Sequence, residues 1–354
     1  MVFCAHRDER RFYLLSTHLA HVAAGAAERL THLPDGQELG DAAFLAGLAH
    51  DFGKYTGFFQ RYLRTGRGGA EKQHAFLSGL WAACLAAEAG LQPVRRLALF
   101  LAVIRHHQEL VDPEAYLVAP RHLAGDWNEL SQETATRLRL LETQVADLRQ
   151  SAPAVARSLA LAARHGARLL RARGLTAPHW LARDWAATLE AFLHDWVALY
   201  GELHRVWRGL KRQGEGDLAA YFEVLSLFSA LIDADKIHAA RVREAPRPVL
   251  PADPVEAYRA ARFGAPGNFM DALRDDLYRT VVSRVDQAPA AQRLFTITAP
   301  TGAGKTLAGL AAAFRLRARR AAAGRPVPRI IYALPFTSIV DQTFAVGEAV
   351  LRAA

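Results

Sequence analysis

Leu48-Ala49-His50-Asp51-Phe52-Gly53-Lys54 decides how this chain is read: a His-Asp pair closes an apolar helical run (Phe44, Leu45, Leu48) and runs straight into glycine and lysine. Such a pair is common by itself and gains meaning from its company. His18 precedes it, and His74, the doublet His106-His107 and Asp235 follow. Each falls within or at the end of an apolar helical segment, where an imidazole or a carboxylate needs a compensating partner. A cluster of divalent ions is such a partner. Imidazole nitrogens and carboxylate oxygens suit manganese, iron, cobalt, nickel or zinc, with magnesium at the oxygen-rich end. One aspartate can bridge two ions, and ions about 3.5–4 Å apart serve phosphoester hydrolysis. Asp51, at a helix end, is the natural bridge.

Some choices stay open in the sequence. His21 competes with His18, and Asp233 with Asp235; His18 and Asp235 are preferred. Lys54 either meets a phosphate or is a solvated residue of the turn. Neighbouring helix residues point about 100° apart, so His106 and His107 face one cluster only at a helix end or a distortion. The pattern falters at Val111-Asp112-Pro113, which supplies that exit. His165, His194 and His204 read as core or exposed residues.

Outward from this centre the chain is helical. Helices are predicted over 12–33, 38–50, 56–63, 73–89, 93–106, 128–149, 153–173, 182–211 and 217–243, with a loop over 108–126 and no strand before residue 290. Four prolines between Glu244 and Pro254 then exclude helix and mark a boundary. A helical connector over 268–285 follows. Beyond it the pattern becomes strand (294–298), glycine loop, helix (305–323), strand (329–334) and helix (338–351), the opening of a parallel α/β sheet. The expected sheet edge would be uncovered, which predicts aggregation or disorder beyond about residue 290.

Bulk composition narrows the class. The 354 residues suffice for two or three domains, and 51% hydrophobic with 22% charged residues is ordinary for a globular protein. No run approaches the ~18 apolar residues of a membrane span, and the charged N-terminus is no secretory signal. Two cysteines argue against a disulfide framework, exclude a thiolate metal site, and suit a reducing cytosol. The formal charge of +9 favours a polyanionic partner such as nucleic acid, though an arginine-rich coding bias gives the same number. A cytoplasmic monomer is expected.

The second anchor is Ala299-Pro300-Thr301-Gly302-Ala303-Gly304-Lys305-Thr306. A phosphate loop wraps phosphates with backbone N–H groups at a helix N-terminus, its lysine reaching the β- and γ-phosphates and its threonine holding magnesium. Thr301, Gly302, Gly304, Lys305 and Thr306 meet that need, with Ala299 where the strict motif has glycine. No acidic residue stands between Gly302 and Val340, while Arg315, Arg317, Arg319, Arg320, Arg325 and Arg329 crowd the segment, as a DNA- or partner-facing surface or as a solvated helix face.

The ordered set His18, His50-Asp51, His74, His106-His107 and Asp235 resembles the HD phosphohydrolase superfamily. The string His50-Asp51-Phe52-Gly53-Lys54-Tyr55-Thr56-Gly57-Phe58-Phe59-Gln60 is similar to the HD-GK-FQ signature of the HD nuclease domain in type I CRISPR-associated nuclease–helicases. Gln73-His74-Ala75-Phe76-Leu77-Ser78-Gly79 resembles that family's DHS-x-x-G stretch, departing at Gln73 and Ala75. The resemblance implies one ion on His18, His50, Asp51 and Asp235, and a second on Asp51, His74, His106 and His107, with Asp51 and Lys54 in the catalytic centre. The glycine loop resembles the A-x-TG-x-GKT of superfamily-two helicases, and Ala333-Leu334-Pro335-Phe336-Thr337-Ser338-Ile339-Val340-Asp341-Gln342 a segment that contacts single-stranded DNA there.

The resemblance therefore implies a mostly α chain. An all-helical HD nuclease domain over 1–243 and a proline-rich linker and connector over 244–292 would precede the incomplete start of a RecA-like α/β helicase lobe over 293–354. It implies two-metal cleavage of single-stranded DNA beside an RNA-guided surveillance complex, with ATP and magnesium at the loop. No Asp-Glu-x-His or Asp-Glu-Ala-Asp box follows the loop, so ATP hydrolysis and unwinding are not expected of this chain by itself. The rivals are a nucleotide phosphohydrolase and a non-catalytic DNA- or partner-binding piece.

Overall fold

A computed structural model describes residues 2–7, 11–33, 35–212, 218–241, 250–324, 327–334 and 337–353. The chain divides into two compact units, Met1–Arg243 and Glu244–Ala354. The first opens with a hairpin, β1 (Cys4–Arg7) and β2 (Phe12–Leu14). The helices α1 (Leu15–Leu30), α2 (Gly36–Ala49), α3 (Gly57–Thr65), α4 (Ala75–Glu88), α5 (Pro93–Ile104) and the short α6 (Pro120–Leu123) follow. The long α7 (Gln132–Ala172), α8 (Trp185–Arg212) and α9 (Leu218–Ala240) complete the unit. A 3-10 turn, Phe52–Tyr55, comes directly after Asp51.

Helix α1 lies at the centre, packed against α2, α7 and α9. Its Leu15, Leu19, Val22, Ala26 and Leu30 recur at helical spacing and are buried, so one continuous apolar stripe sets its orientation. Helices α4 and α5 also pack directly on each other. Around the turn after Asp51, Phe52 stacks on Trp81 with ring centroids 4.6 Å apart, and Phe192 meets both rings edge-on. Aromatic packing thus helps to fix the segment that carries the His-Asp pair.

Three expectations for this unit are corrected. The hairpin replaces an all-helical start: β1 and β2 pair antiparallel with a bulge between Cys4 and His6, and Phe3 and Ala5 are buried behind it. Strands of four and three residues are too short for a period-two pattern to stand out. The helices predicted over 128–149 and 153–173 are one, α7, with Pro153 inside it. A proline removes one intrahelical bond, but Leu148, Val155 and Leu159 are buried on both sides of it, and packing carries the helix through. Helix α5 ends at Ile104, short of the predicted His106.

The second unit consists, among the described residues, of α10 (Pro254–Arg262), α11 (Phe269–Gln287), α12 (Lys305–Ala322) and α13 (Thr337–Arg352). Helix α10 was not expected. It begins at the last proline of the predicted linker, where a proline at the first helical position costs no hydrogen bond, and Asp253 caps it by accepting from Glu256 N–H. Val255, Tyr278, Leu310, Ala311, Phe314 and Val350 form its core. Residues 294–298 and 329–334, predicted as strands, carry no ladder, and Leu294 and Ile331 are 86% and 85% exposed. Side chains over 294–298 still alternate between exposed and half-buried, the signature of extended backbone. A buried parallel strand needs paired neighbours and cover on both faces, and the described residues of this unit supply neither. No described helix is long and apolar enough to cross a membrane.

Candidate functional site

The first unit delivers its polar side chains to one point from many elements. His18 stands in the first turn of α1, His50 just after α2, and Asp51 at the start of the 3-10 turn. His74 precedes α4 and Asp235 lies on α9. Because α5 stops at Ile104, His106 and His107 both occupy the turn beyond it, with ring centroids 3.8 Å apart.

Asp51 divides its two oxygens between two groups. Its Oδ2 lies 3.2 Å from His18 Nε2 and 3.4 Å from His50 Nε2, while its Oδ1 lies 3.1 Å from His74 Nε2 and 3.7 Å from His106 Nε2. Asp235 Oδ1 joins the first group, 3.2 Å from His18 Nε2 and 3.5 Å from His50 Nε2. His107 Nε2 joins the second, 3.1 Å from His74 Nε2. Ligands bonded to one ion at about 2.0–2.2 Å stand roughly 3.0–3.5 Å from their neighbours, so these spacings fit two cation positions sharing Asp51. Asp51 Oδ1 and His106 Nε2 are moreover buried without a hydrogen bond, as atoms awaiting a cation would be.

The open choices resolve geometrically. His21 stacks on His238 and meets His165 edge-on, away from Asp51, whereas His18 points into the group. Asp233 accepts from Arg29 Nε, leaving Asp235 facing the histidines. His194 is an exposed partner of Asp195.

Several residues hold this arrangement without belonging to it. His50 Nδ1 donates to Gly47 O at 2.8 Å and His106 Nδ1 to Val103 O at 2.6 Å, each three residues back at a helix end. Those bonds hold each Nδ1–H away from the centre and leave each Nε2 facing it. Gly53 N–H donates to Ser78 Oγ at 2.9 Å, and that hydroxyl donates to His74 O at 2.8 Å, pinning the Asp51 turn to the start of α4. Gln60 accepts from Cys4 N–H and donates to the carbonyls of Cys4 and Lys54, which pins β1 to the same turn. Gly53, Ser78 and Gln60 were visible as motif letters; their backbone partners were not.

Lys54 is no solvated turn residue. Its side chain is 12% exposed, and its Nζ lies 2.7 Å from Asp51 Oδ2 and 5.3 Å from the centroid of the Phe59 ring. Burial opposes charge on His50, but the carboxylates of Asp51 and Asp235 outweigh it and push its pKa up to about 10. Burial also pushes Asp51 upward, and Lys54 and His50 overcome that, holding the carboxyl well below its usual range. His107 is drawn down to about 4 by burial and by His106 and His74. His238 is drawn down to about 3 by burial and by the histidines around it. His107 is exposed, so the centre opens to solvent on its side.

In the second unit Gly302 and Gly304 take φ of 82° and 88°, a conformation that favours glycine, and Gly304 precedes α12. Lys305 and Thr306 begin that helix, and Lys305 Nζ donates to Ala299 O and Pro300 O at 2.7 and 2.9 Å. Arg274 of α11 donates to Gly302 O at 3.0 Å. Thr301 lies exposed in the loop. The arginines that follow do not form one open basic face. Arg315 pairs with Asp253 and Asp286, Arg317 donates to Pro328 O, and Arg319 donates to the carbonyls of Val285 and Ala288. They are spent on joining α12 to its neighbours. Arg325, Pro335 and Phe336 lie outside the described residues.

Comparison with known proteins finds a similar chain in the CRISPR-associated nuclease/helicase Cas3 of Haloferax volcanii. The two are 31% identical over 331 residues, covering 86% of this chain and 32% of that relative. The chain thus spans about a third of the length of the curated relative it matches. No family model matches the chain, and no solved structure matches it significantly.

Proposed function

We propose that the first unit is a two-ion phosphodiesterase that cuts single-stranded DNA in CRISPR interference. Its ions would be held by His18, His50, Asp51 and Asp235 on one side and by Asp51, His74, His106 and His107 on the other. The observation that carries this is the division of one buried carboxylate, Asp51, between two sets of converging imidazole nitrogens. Similarity to a nuclease/helicase over most of the chain supports it. Bound divalent ions supply a water of lowered pKa and a clamp on the leaving oxygen of the phosphodiester. The protein's own part is to hold the Nε2 tautomers through Gly47 and Val103, to keep Asp51 ionised, and to place the Lys54 ammonium beside the reacting phosphate.

Manganese, iron, cobalt or nickel suits this donor set, with magnesium as the oxygen-preferring alternative. The partners are single-stranded DNA and an RNA-guided surveillance complex that displaces it. Thr301, Gly302, Gly304, Lys305 and Thr306 of the second unit would take the phosphates and magnesium of ATP.

The test is cleavage of circular single-stranded DNA without ATP, in manganese, cobalt or nickel against EDTA, by the parent and by Asp51→Ala. Metal-dependent cutting by the parent alone is expected. Intact circles together with turnover of free nucleotides would replace this function by nucleotide phosphohydrolysis.

A further inference from the structure

We infer that His238, which no motif contains, is a positioning residue that holds His18 in its ion-binding orientation. The inference rests on the proposed metal centre and adds a residue to it. A histidine that gives one ring nitrogen to an ion carries its proton on the other, and that N–H needs an acceptor. His50 and His106 find one in a carbonyl at the end of their own helix. His18 cannot, because it stands in the first turn of α1, where the carbonyls are taken by the helix itself and the spare backbone groups are N–H donors. It is also buried to 2% exposure, which leaves no room for solvent to serve. Its Nε2 faces Asp51, His50 and Asp235, and its Nδ1 lies 2.8 Å from His238 Nδ1. With the Nε2 lone pair turned inward, His18 Nδ1–H donates and His238 Nδ1 accepts.

Helix α9 supplies the geometry. Asp235 and His238 are three residues apart and so share one helix face, where the first meets His18 Nε2 and the second His18 Nδ1. One helix therefore holds both edges of a single imidazole. The His238 ring is held in turn: its centroid lies 4.9 Å from His18, and on its other side it stacks on His21 at 4.9 Å and 24°. His165 then closes on His21 edge-to-face at 5.3 Å. The histidines that look superfluous to the centre thus form the wall that fixes the one imidazole of the centre that its own helix cannot hold.

The experiment compares His238→Asn with His238→Gln in the full chain. Asparagine places its amide oxygen near the position of Nδ1; glutamine, of the same polarity, carries it one carbon too far. Cobalt and manganese are titrated by calorimetry, cobalt is followed by its visible absorption, and folding is checked by circular dichroism. The parent is expected to bind two ions, His238→Asn to bind nearly as well, and His238→Gln to lose about 10–100-fold in affinity for one ion only, with a changed cobalt spectrum. If both variants bind both ions as the parent does, or both lose equally, His238 does not position His18. If the parent itself binds no ion, the metal centre fails and the inference falls with it.

Discussion

Gly53→Ala is the most informative single-atom perturbation of this centre. A Cβ at position 53 would lie 2.5 Å from His74 O and 2.8 Å from His74 Cα. Ordinary contact begins near 3.4 Å, so the first of these must open by about 0.9 Å. The atoms in the way are the backbone and Cβ of His74, which no side-chain rotation moves. Either the Asp51 turn or the start of α4 has to move, and the Gly53–Ser78–His74 hydrogen bonds resist both. Overpacking of this kind costs about 1–3 kcal/mol. At roughly 2–4 °C per kcal/mol for a unit of this size, Tm should fall by about 2–12 °C. The larger effect is on the site: a shift of about 1 Å takes His74 Nε2 out of register with Asp51 Oδ1, and misplacement of that size costs on the order of 100-fold in rate. Calorimetric manganese titration and cleavage of circular single-stranded DNA measure it. Gly53→Ala that keeps the parent's Tm, two-ion stoichiometry and cleavage rate would refute this account of why position 53 is glycine.

Other consequences follow from the same geometry. With a folded pKa of about 10 against about 6.5 unfolded, protonated His50 stabilises the ion-free protein fully below pH 6.5, and that stability is lost as pH rises towards 10. An ion must displace this proton, so manganese affinity should climb between pH 6.5 and 8.5 by up to about tenfold per unit; a flat calorimetric profile would contradict it. Ser78→Ala leaves the buried Gly53 N–H unpaired and should cost about 1–3 kcal/mol in urea unfolding, with Ser78→Thr losing less. In the second unit Arg315→Ala removes the cation paired with Asp253, whose side chain is 7% exposed and keeps only its hydrogen bonds from Glu256 N–H and the Tyr278 hydroxyl. Because Arg315 is itself 22% exposed, the loss should be about 2 kcal/mol, below the ~3–5 kcal/mol of a fully buried pair; an unchanged unfolding profile would show that the pair is idle.

The residue types at the centre were legible in the sequence because each is anomalous where it stands. His18, His50, His74, His106 and Asp235 interrupt apolar helical segments, and such interruptions can be read without knowing the fold. Their mutual distances could not be read: His18 and Asp235 are separated by most of the first unit, and only the packing of α1 on α9 brings them together. The choice between Asp233 and Asp235 depended on Arg29, two hundred residues away in sequence. His238 was overlooked although Asp235-x-x-His238 has the spacing of one helix face. It interrupts nothing, since it lies near the end of α9 where polar residues are ordinary. Failures elsewhere came from tertiary terms. Pro153 is tolerated because both flanks are buried, and 294–298 has a strand's alternation without a partner to pair with among the described residues.

The charges around Asp51 give a physical reason why the proposed substrate is an anion. Without ions, Asp51 and Asp235 contribute two negative charges, and Lys54 with the proton on His50 contributes two positive ones. These four charges offset one another, as a buried cluster requires. Two divalent ions that displaced the His50 proton would change the sum over these groups from zero to +3: four from the ions and one from Lys54, less two from the carboxylates. Asp233, the nearest other acid on α9, is already engaged by Arg29 and does not offset this. A partly buried centre of that charge draws in a ligand carrying several negative oxygens, and consecutive phosphodiesters provide them along a strand. The overall charge of +9 could not make this case, because a basic surface accompanies many functions. The local excess can, because it lies where His107 opens the centre to solvent.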